Sequence, residues 1–286
     1  MPEGPEVETV RRSLAPLLVG AVLGRPSVGR RALRTPITSR SLAHVDGRAV
    51  VAVERHGKAL FIALDSGGGL VIRLGMTGRV LVVDGGAKRD VHTHVRIPLA
   101  ASARELRYVD ARRFGEVVPY ADSAARAAVV AAMGPDGITL NDEGRRMVYG
   151  TLAATSRALK DVLLDQTVVA GVGNIYAAEI LWLARLSPFR AADSLHGAEQ
   201  LRLVDAVVRV LQEAVARRGT SFSDYVDANG QKGDNQAHLA VFQREGEPCP
   251  GCGEPVRRVV QGARSTFFCA TCQPKSVMQH RRRRLR

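Results

Sequence analysis

The sequence predicts an α+β chain of several domains: an antiparallel β-sandwich with a leading helix, then a helical region, then a small module built on cysteines. Three observations carry that reading. Short β-branched runs separated by Gly-rich turns fill the chain to about residue 120. The pattern then changes to helical periodicity. All four cysteines of the 286 residues fall between 249 and 272.

The elements follow in order. Val7, Val10, Leu14 and Leu17 recur at helical spacing from Pro5 to Leu18, and Pro5 suits a first helical turn, where its missing N–H would be unpaired anyway. "RAVVAVER", "KALFIALD", "GLVIRLG", "RVLVVD" and "THVRIP" read as strands, with turns such as "DSGGG" and "VDGG" between them. "DSAARAAVVAAM", "DEGRRMVYGTLAA", "RALKDVLLD", "NIYAAEILWLARL" and "AEQLRLVDAVVRVLQEAVARR" read as helices. In the last, Leu201, Val204, Val208, Leu211 and Val215 form one apolar face. "DANGQKGDNQ" reads as a mobile loop. The expected divisions are 2–120, 121–240, 241–273 and a basic, disordered tail over 274–286.

A net charge of +13 points to a polyanionic partner, most simply nucleic acid. No apolar run approaches the ~20 residues that span a bilayer. The N-terminus is acidic and lacks a hydrophobic signal core, so a bacterial-type cytosol is the expected location. In that reducing setting, clustered CxxC pairs argue for metal rather than disulfides. Cys249, Cys252, Cys269 and Cys272 give C-x2-C-x16-C-x2-C, the spacing of a four-thiolate Zn²⁺ site. With four protein ligands there is no open position, so one structural zinc is expected. The hairpin between the knuckles carries Arg257, Arg258 and Arg264, able to enter a DNA groove; a solvated basic face explains Arg257 and Arg258 equally well.

Other stretches have both functional and ordinary readings. "AGVGNIYAAEI" places Gly171 and Gly173 before a helix opening at Asn174, an arrangement that binds phosphate. The helix before it, which carries Lys160, makes this a helix–turn–helix. "DARRFGEV" offers Arg112, Arg113 and Phe114 as fillers of a gap in a base stack, and Met76 in "LGMTG" offers an apolar wedge. Met76 reads equally as core. Lys58 after Gly57 reads as solvated, and His94 has no metal to bind once zinc has four cysteines.

The opening, "MPEGPEVETV", is acidic in a basic chain. A proline after Met1 favours removal of Met1, leaving Pro2 with a secondary amine. An α-amino group titrates near pH 7.7–8.0, roughly, so a fraction is a free nucleophile. Glu3 can move protons, and Glu6 can orient the amine or hold its positive charge. Simple complementarity to the helix dipole accounts for both carboxylates as well.

"PEGPEVE", "HGKALF", "LGMTG", "DARRFG", "LLDQTVVAGVGNIYAAEILW", "REGEPCPGCG" and "GARSTFFCATCQ" occur in this order. From Pro2 to about Gln273 the chain thereby resembles the formamidopyrimidine-DNA glycosylase / endonuclease VIII family of base-excision repair enzymes, and most closely its bacterial formamidopyrimidine branch. The resemblance implies a β-sandwich, a helix–two-turns–helix domain and a zinc-finger hairpin, with damaged double-stranded DNA bent between them. It implies Pro2 as nucleophile, Glu3 as general acid/base and Lys58 as a phosphate contact that assists catalysis. Arg264 and Asn174 become a phosphate-gripping pair. Met76, Arg112 and Phe114 fill the hole left by the extruded nucleotide. Glu6, His94, Arg113 and Lys160 join the DNA-binding set. The implied enzyme is a monomeric glycosylase and abasic-site lyase for oxidised purines (8-oxoguanine and formamidopyrimidines), with no need for Mg²⁺, working on the nucleoid.

The match departs at named positions. Gly4 replaces a leucine usual in the formamidopyrimidine branch and brings the opening closer to endonuclease VIII, which prefers oxidised pyrimidines. Phe242 and Gln243 stand where Tyr-Gly is usual. Asp234 and Asn235 stand where Tyr-Phe is common in the family's lid over the flipped base. An oxidised-pyrimidine enzyme is therefore the alternative. A non-catalytic zinc-ribbon DNA-binding protein is the alternative of another class.

Overall fold

The computed structural model describes residues 2–222 and 225–275. Met1 and the basic run 276–286, most of the expected tail, lie outside the described residues. Two compact units are present. One takes the chain up to Met133 together with Ala214–Ala237; the other takes Gly134–Glu213 and the chain from His238.

The first unit opens with α1 (Gly4–Leu18), which buries Val7, Val10, Leu14 and Leu18. After α1 comes β1 (Ser27–Val28), followed by β2 (Val50–His56), β3 (Ala59–Leu64), β4 (Gly69–Arg73) and β5 (Arg79–Asp84). Then come β6 (Thr93–Pro98), β7 (Arg104–Val109) and β8 (Glu116–Tyr120). They form two antiparallel four-stranded sheets, ordered β1-β6-β7-β5 and β2-β3-β4-β8. Leu60, Ile62 and Ile72 from one sheet pack with Val80, Val95 and Leu106 from the other, and α1 closes the same core. That is the expected sandwich.

Two strands carry no clean sequence signal. In β7 the charges of Glu105 and Arg107 mask the alternation. Both side chains are nonetheless buried, paired with each other, and Glu105 also takes Arg96. In β8 Pro119 argues against a central strand, and β8 is an edge strand, where a missing N–H costs nothing.

The expected boundary at 120 falls short. After it comes α2 (Ser123–Ala131), whose Ala125, Val129 and Val130 pack on Ala59, Phe61, Val71 and Tyr120, the outer face of the second sheet. This explains why β3 reads as a continuous apolar run: both its faces are covered. Residues 227–235 also differ from the expected mobile loop. The buried Asp227 accepts the N–H groups of Asn229 and Gln231 and pairs with Arg218 at 2.6 Å.

The second unit contains α3 (Asp142–Ala153), α4 (Leu159–Leu164), α5 (Asn174–Leu183) and most of α6 (Gly197–Ala216). Leu201 is exposed; the buried face of α6 uses Leu203, Val204, Val207, Leu211 and Val215 instead. The turns between α4 and α5 are stapled by Gln166, whose amide donates to Leu164 O and Val172 O and accepts from Gly171 N–H. The unit ends in a hairpin of β9 (Arg257–Gln261) and β10 (Arg264–Phe268), with Arg264 opposite Gln261.

Candidate functional site

The start of α1 is a cluster of buried carboxylates. Pro2 is buried, Glu3 is 2% exposed and Glu6 1%. Glu3 is the N-cap and forms a capping box with Glu6: each side chain accepts the other's backbone N–H, at 2.7 Å for Glu3 N–H to Glu6 Oε2. The second oxygen of Glu6 accepts Thr220 N–H at 2.7 Å, and Glu6 O accepts the Tyr225 hydroxyl at 3.2 Å. Burial, and then the Glu6 charge, push the Tyr225 phenol far up, so it stays a donor. Gly219 has φ +79°, and a Cβ there would lie 2.7 Å from Glu6 Oε1, so only glycine fits. Glu6 was expected among the DNA-binding residues. Its oxygens instead hold the opening of α1 to the segment around Thr220, because both are spent on buried amides.

A second chain of bonds runs from α1 to Lys58. Glu8 pairs with Arg55 at 3.2 Å, and Arg55 Nη1 donates to Gly57 O at 2.9 Å. Gly57 has φ +57° in the β2–β3 turn, and Lys58 follows it, half-buried. Burial raises the Glu8 carboxyl, but Arg11, Arg12 and Arg55 outweigh it and hold the group at about 2.

The wedge candidates sit on two touching turns. The turn at Gly75–Gly78 carries Met76, half-buried; the turn after β7 carries Arg112, Arg113 and Phe114, all exposed, with Phe114 at 47%. A Cβ at Gly75 would lie 2.6 Å from Gly115 N, so the backbones nearly touch. The Arg112 guanidinium lies 4.8 Å from the Phe114 ring centroid, and Arg113 turns the chain with φ +58°. Beneath them Asp110 is fully buried and accepts from Thr77, Tyr108 and Gly115. His94 was expected to contact DNA. It is 3% exposed, and its ring nitrogens face Asp110 O at 2.8 Å and Arg31 O at 3.2 Å, so it supports the wedge turn from inside the protein.

In the second unit, two side chains seize one carbonyl. Lys160 Nζ donates to Ser265 O at 3.0 Å and to Thr266 Oγ1 at 2.7 Å; Asn174 Nδ2 donates to Ser265 O at 3.0 Å. Ser265 follows Arg264, which is exposed at the start of β10. Lys160 is 1% exposed, so it positions the hairpin from within rather than meeting DNA directly, as was expected of it. Burial, reinforced by Arg264, brings its ammonium down to about 8. Asn174 Oδ1 is buried and has no hydrogen-bond partner among the described residues.

The four cysteine sulfurs all lie within 4.8 Å of one another, with Cys252 Sγ to Cys269 Sγ at 3.4 Å and Cys249 Sγ to Cys272 Sγ at 3.9 Å. Zn–S bonds of about 2.3 Å at tetrahedral angles need sulfurs about 3.8 Å apart, so the set fits one zinc and leaves no site for a substrate. Trp182 Nε1 donates to Cys249 Sγ at 3.3 Å, tying α5 to the first knuckle. Glu179, also on α5, accepts three consecutive N–H groups, from Ala240, Val241 and Phe242, and so anchors the chain that enters the cysteine module. Asp110, Thr77, Glu8, Arg55, Trp182 and Glu179 were not singled out from the sequence. Each lies within a stretch read as a strand, a helix or a motif, and Asp110, a carboxylate before two arginines in "DARRFGEV", reads as a turn residue.

Family profiles match three successive parts of the chain. They are described as the formamidopyrimidine-DNA glycosylase N-terminal domain (residues 1–117), the formamidopyrimidine-DNA glycosylase H2TH domain (133–226) and a zinc finger found in FPG and IleRS (246–275). A formamidopyrimidine-DNA glycosylase of Herpetosiphon aurantiacus is 42% identical over 286 aligned positions, covering 96% of this chain and all of the relative. One of Moorella thermoacetica is 44% identical over 268, covering 91% and 94%. Among solved structures, the MutM (Fpg) protein of Thermus thermophilus aligns with a TM-score of 0.84 and 40% identity, covering 96% of this chain and 100% of that one. The Lactococcus lactis Fpg bound to abasic-site DNA aligns at 0.85 with 30% identity and the same coverage.

Proposed function

The chain belongs to the formamidopyrimidine-DNA glycosylase family, and we propose that it excises oxidised purines, formamidopyrimidines and 8-oxoguanine, through an N-terminal Pro2 amine. It is a DNA glycosylase and abasic-site lyase of base-excision repair that acts on damaged double-stranded DNA and carries one structural zinc. The observation that carries the Pro2 reading is the buried capping box that fixes Glu3 at the head of α1, next to the buried Pro2. An amine meant to attack carbon must be held still and kept beside a proton carrier.

The chemistry follows in steps. The damaged nucleotide leaves the stack, at a cost of a few kcal/mol, roughly. Met76, Arg112 and Phe114 fill the space it vacates. The Pro2 nitrogen attacks C1′ of the sugar, the base leaves with a proton, and Glu3 serves the proton transfers. The C1′–O4′ bond then breaks as O4′ takes a proton, and the ring-opened sugar carries an iminium that acidifies C2′–H. Loss of that proton expels the 3′ phosphate, a second elimination expels the 5′ phosphate, and a one-nucleotide gap remains. Lys58, Asn174 and Arg264 hold backbone phosphates, and Arg113 adds charge at the wedge. Glu6, His94 and Lys160 act through the elements they position. Zinc holds the hairpin that presents Arg264 and takes no part in bond breaking.

The named relatives favour the purine branch over the oxidised-pyrimidine alternative that Gly4 raises. No helix among the described residues is long and apolar enough to cross a membrane, and we place the enzyme's work on nucleoid DNA. A panel of duplexes, each with one defined lesion, tests the substrate reading. Cleavage at formamidopyrimidine and 8-oxoguanine sites is expected to exceed cleavage at oxidised pyrimidines. The reverse ranking assigns the chain to the alternative.

A further inference from the structure

We propose that Thr77 and Asp110 form a latch that makes the Met76 turn and the Arg112–Phe114 turn move into DNA as one body. The proposal rests on the reading of those three side chains as the filler of the vacated stack.

The two turns are far apart in sequence; their backbones meet at Gly75 and Gly115, and the Thr77 hydroxyl bonds across them. Thr77 Oγ1 donates to Asp110 Oδ1 and accepts Arg112 N–H at 3.1 Å. The same Asp110 oxygen lies 3.2 Å from Arg112 N–H. Its other oxygen accepts Gly115 N–H at 2.9 Å and the Tyr108 hydroxyl at 3.3 Å. Asp110 O faces His94 Nε2, and Asp110 N–H donates to His92 O at 3.0 Å. Asp110 is thus gripped on every side, whereas Arg112, Arg113 and Phe114 above it are exposed and Met76 is half-buried. A buried carboxylate with four donors is fixed. The hydroxyl of Thr77 transmits that fixity across to the Met76 turn.

Filling a base-sized gap requires apolar and cationic groups to arrive in register. If each turn moved alone, insertion of one would leave the other to be ordered separately, with its own loss of freedom. Thr77 acts through the two turns it joins, so it is a positioning residue.

The test uses Thr77→Val, which keeps the shape and removes the hydroxyl, and Thr77→Ser, which keeps the hydroxyl. Single-turnover excision is measured on a duplex with one 8-oxoguanine, and strand cleavage on a duplex with a preformed abasic site. 2-Aminopurine beside the lesion reports unstacking. Thermal melts check folding. Thr77→Val is expected to excise about tenfold more slowly from the lesion duplex, the effect of losing one or two hydrogen bonds, with a matching delay in the 2-aminopurine signal. Cleavage at the abasic site is expected to stay within about threefold, and Thr77→Ser to restore excision. Normal excision by Thr77→Val, equal loss on both substrates, or no rescue by serine overturns the latch. Phe114→Ala run alongside separates the two ideas: if it shows no duplex-specific loss, the wedge reading itself fails; if it does and Thr77→Val does not, only the latch fails.

Discussion

The head of α1 and the turn after β7 use buried carboxylates in opposite ways. At α1, Glu3 and Glu6 are themselves the buried tips, and Glu6 spends its two oxygens on backbone amides. At the turn, the carboxylate lies beneath, and the residues it supports stand out into solvent, with Phe114 half exposed. The first arrangement suits chemistry, which needs groups held within a fraction of an ångström. The second suits insertion, which needs apolar surface left uncovered until DNA arrives. Residues of one kind should therefore affect bond breaking, and residues of the other kind unstacking.

The largest effect tests the first half. Glu3→Gln keeps the shape of the cap and removes the proton carrier. Base removal is expected to fall by roughly 10²–10⁴-fold, with affinity for lesion DNA retained in a gel-shift or anisotropy assay. Loss of affinity in parallel would make Glu3 a folding residue and erase the contrast.

Zinc removal extends the contrast to the second unit. Ser265, whose carbonyl Lys160 and Asn174 hold, lies on a hairpin that ends at Cys269. Chelation, or Cys269→Ser, is expected to weaken DNA binding by more than about tenfold, in line with losing several phosphate contacts. Circular dichroism should still report the folded sandwich. Affinity that survives complete metal loss contradicts the structural role of zinc.

Phe114→Ala and Arg112→Ala sharpen the second half. Each is expected to slow excision from duplex by about tenfold, the scale of a lost stacking contact, while largely sparing cleavage at a preformed abasic site. Equal losses on both substrates would move these residues into the fold.

The smallest effect concerns acid stability. The Glu8 carboxyl is held at about 2, below its ordinary 4.5. Its contribution is therefore fully present above pH 4.5 and is lost as the pH falls toward 2. After discount for solvent screening this is about 1–2 kcal/mol. Glu8→Gln should narrow the difference in melting temperature between pH 7 and pH 3. An unchanged difference would show that the Glu8–Arg55 link to the Lys58 turn is immaterial.

The sandwich and the cysteine module were legible because each rests on a local pattern. Short runs rich in β-branched residues mark β2 to β6, and the two CxxC pairs close a tetrahedral site by spacing alone. What was not legible depends on partners distant in sequence. Glu105 and Arg107 read as surface charges until β7 is placed against its neighbours. The helix after residue 120 reads as part of the helical region until Phe61 and Tyr120 supply a surface for it. Glu6 looks like a partner of the Pro2 amine, and His94 and Lys160 look like contacts of DNA, yet Thr220, Asp110 and Ser265 occupy them. Sequence identifies such polar side chains without saying whether they meet solvent or backbone.

The central claim is that Pro2 is the nucleophile. Borohydride reduces an iminium, so it should trap a covalent enzyme–DNA adduct on lesion or abasic duplex, and peptide mapping should place that adduct on Pro2. Retention of Met1, or any N-terminal tag, converts the amine to an amide and should abolish trapping. An adduct on Lys58 or another lysine, or base excision by a chain with a blocked N-terminus, would contradict the account.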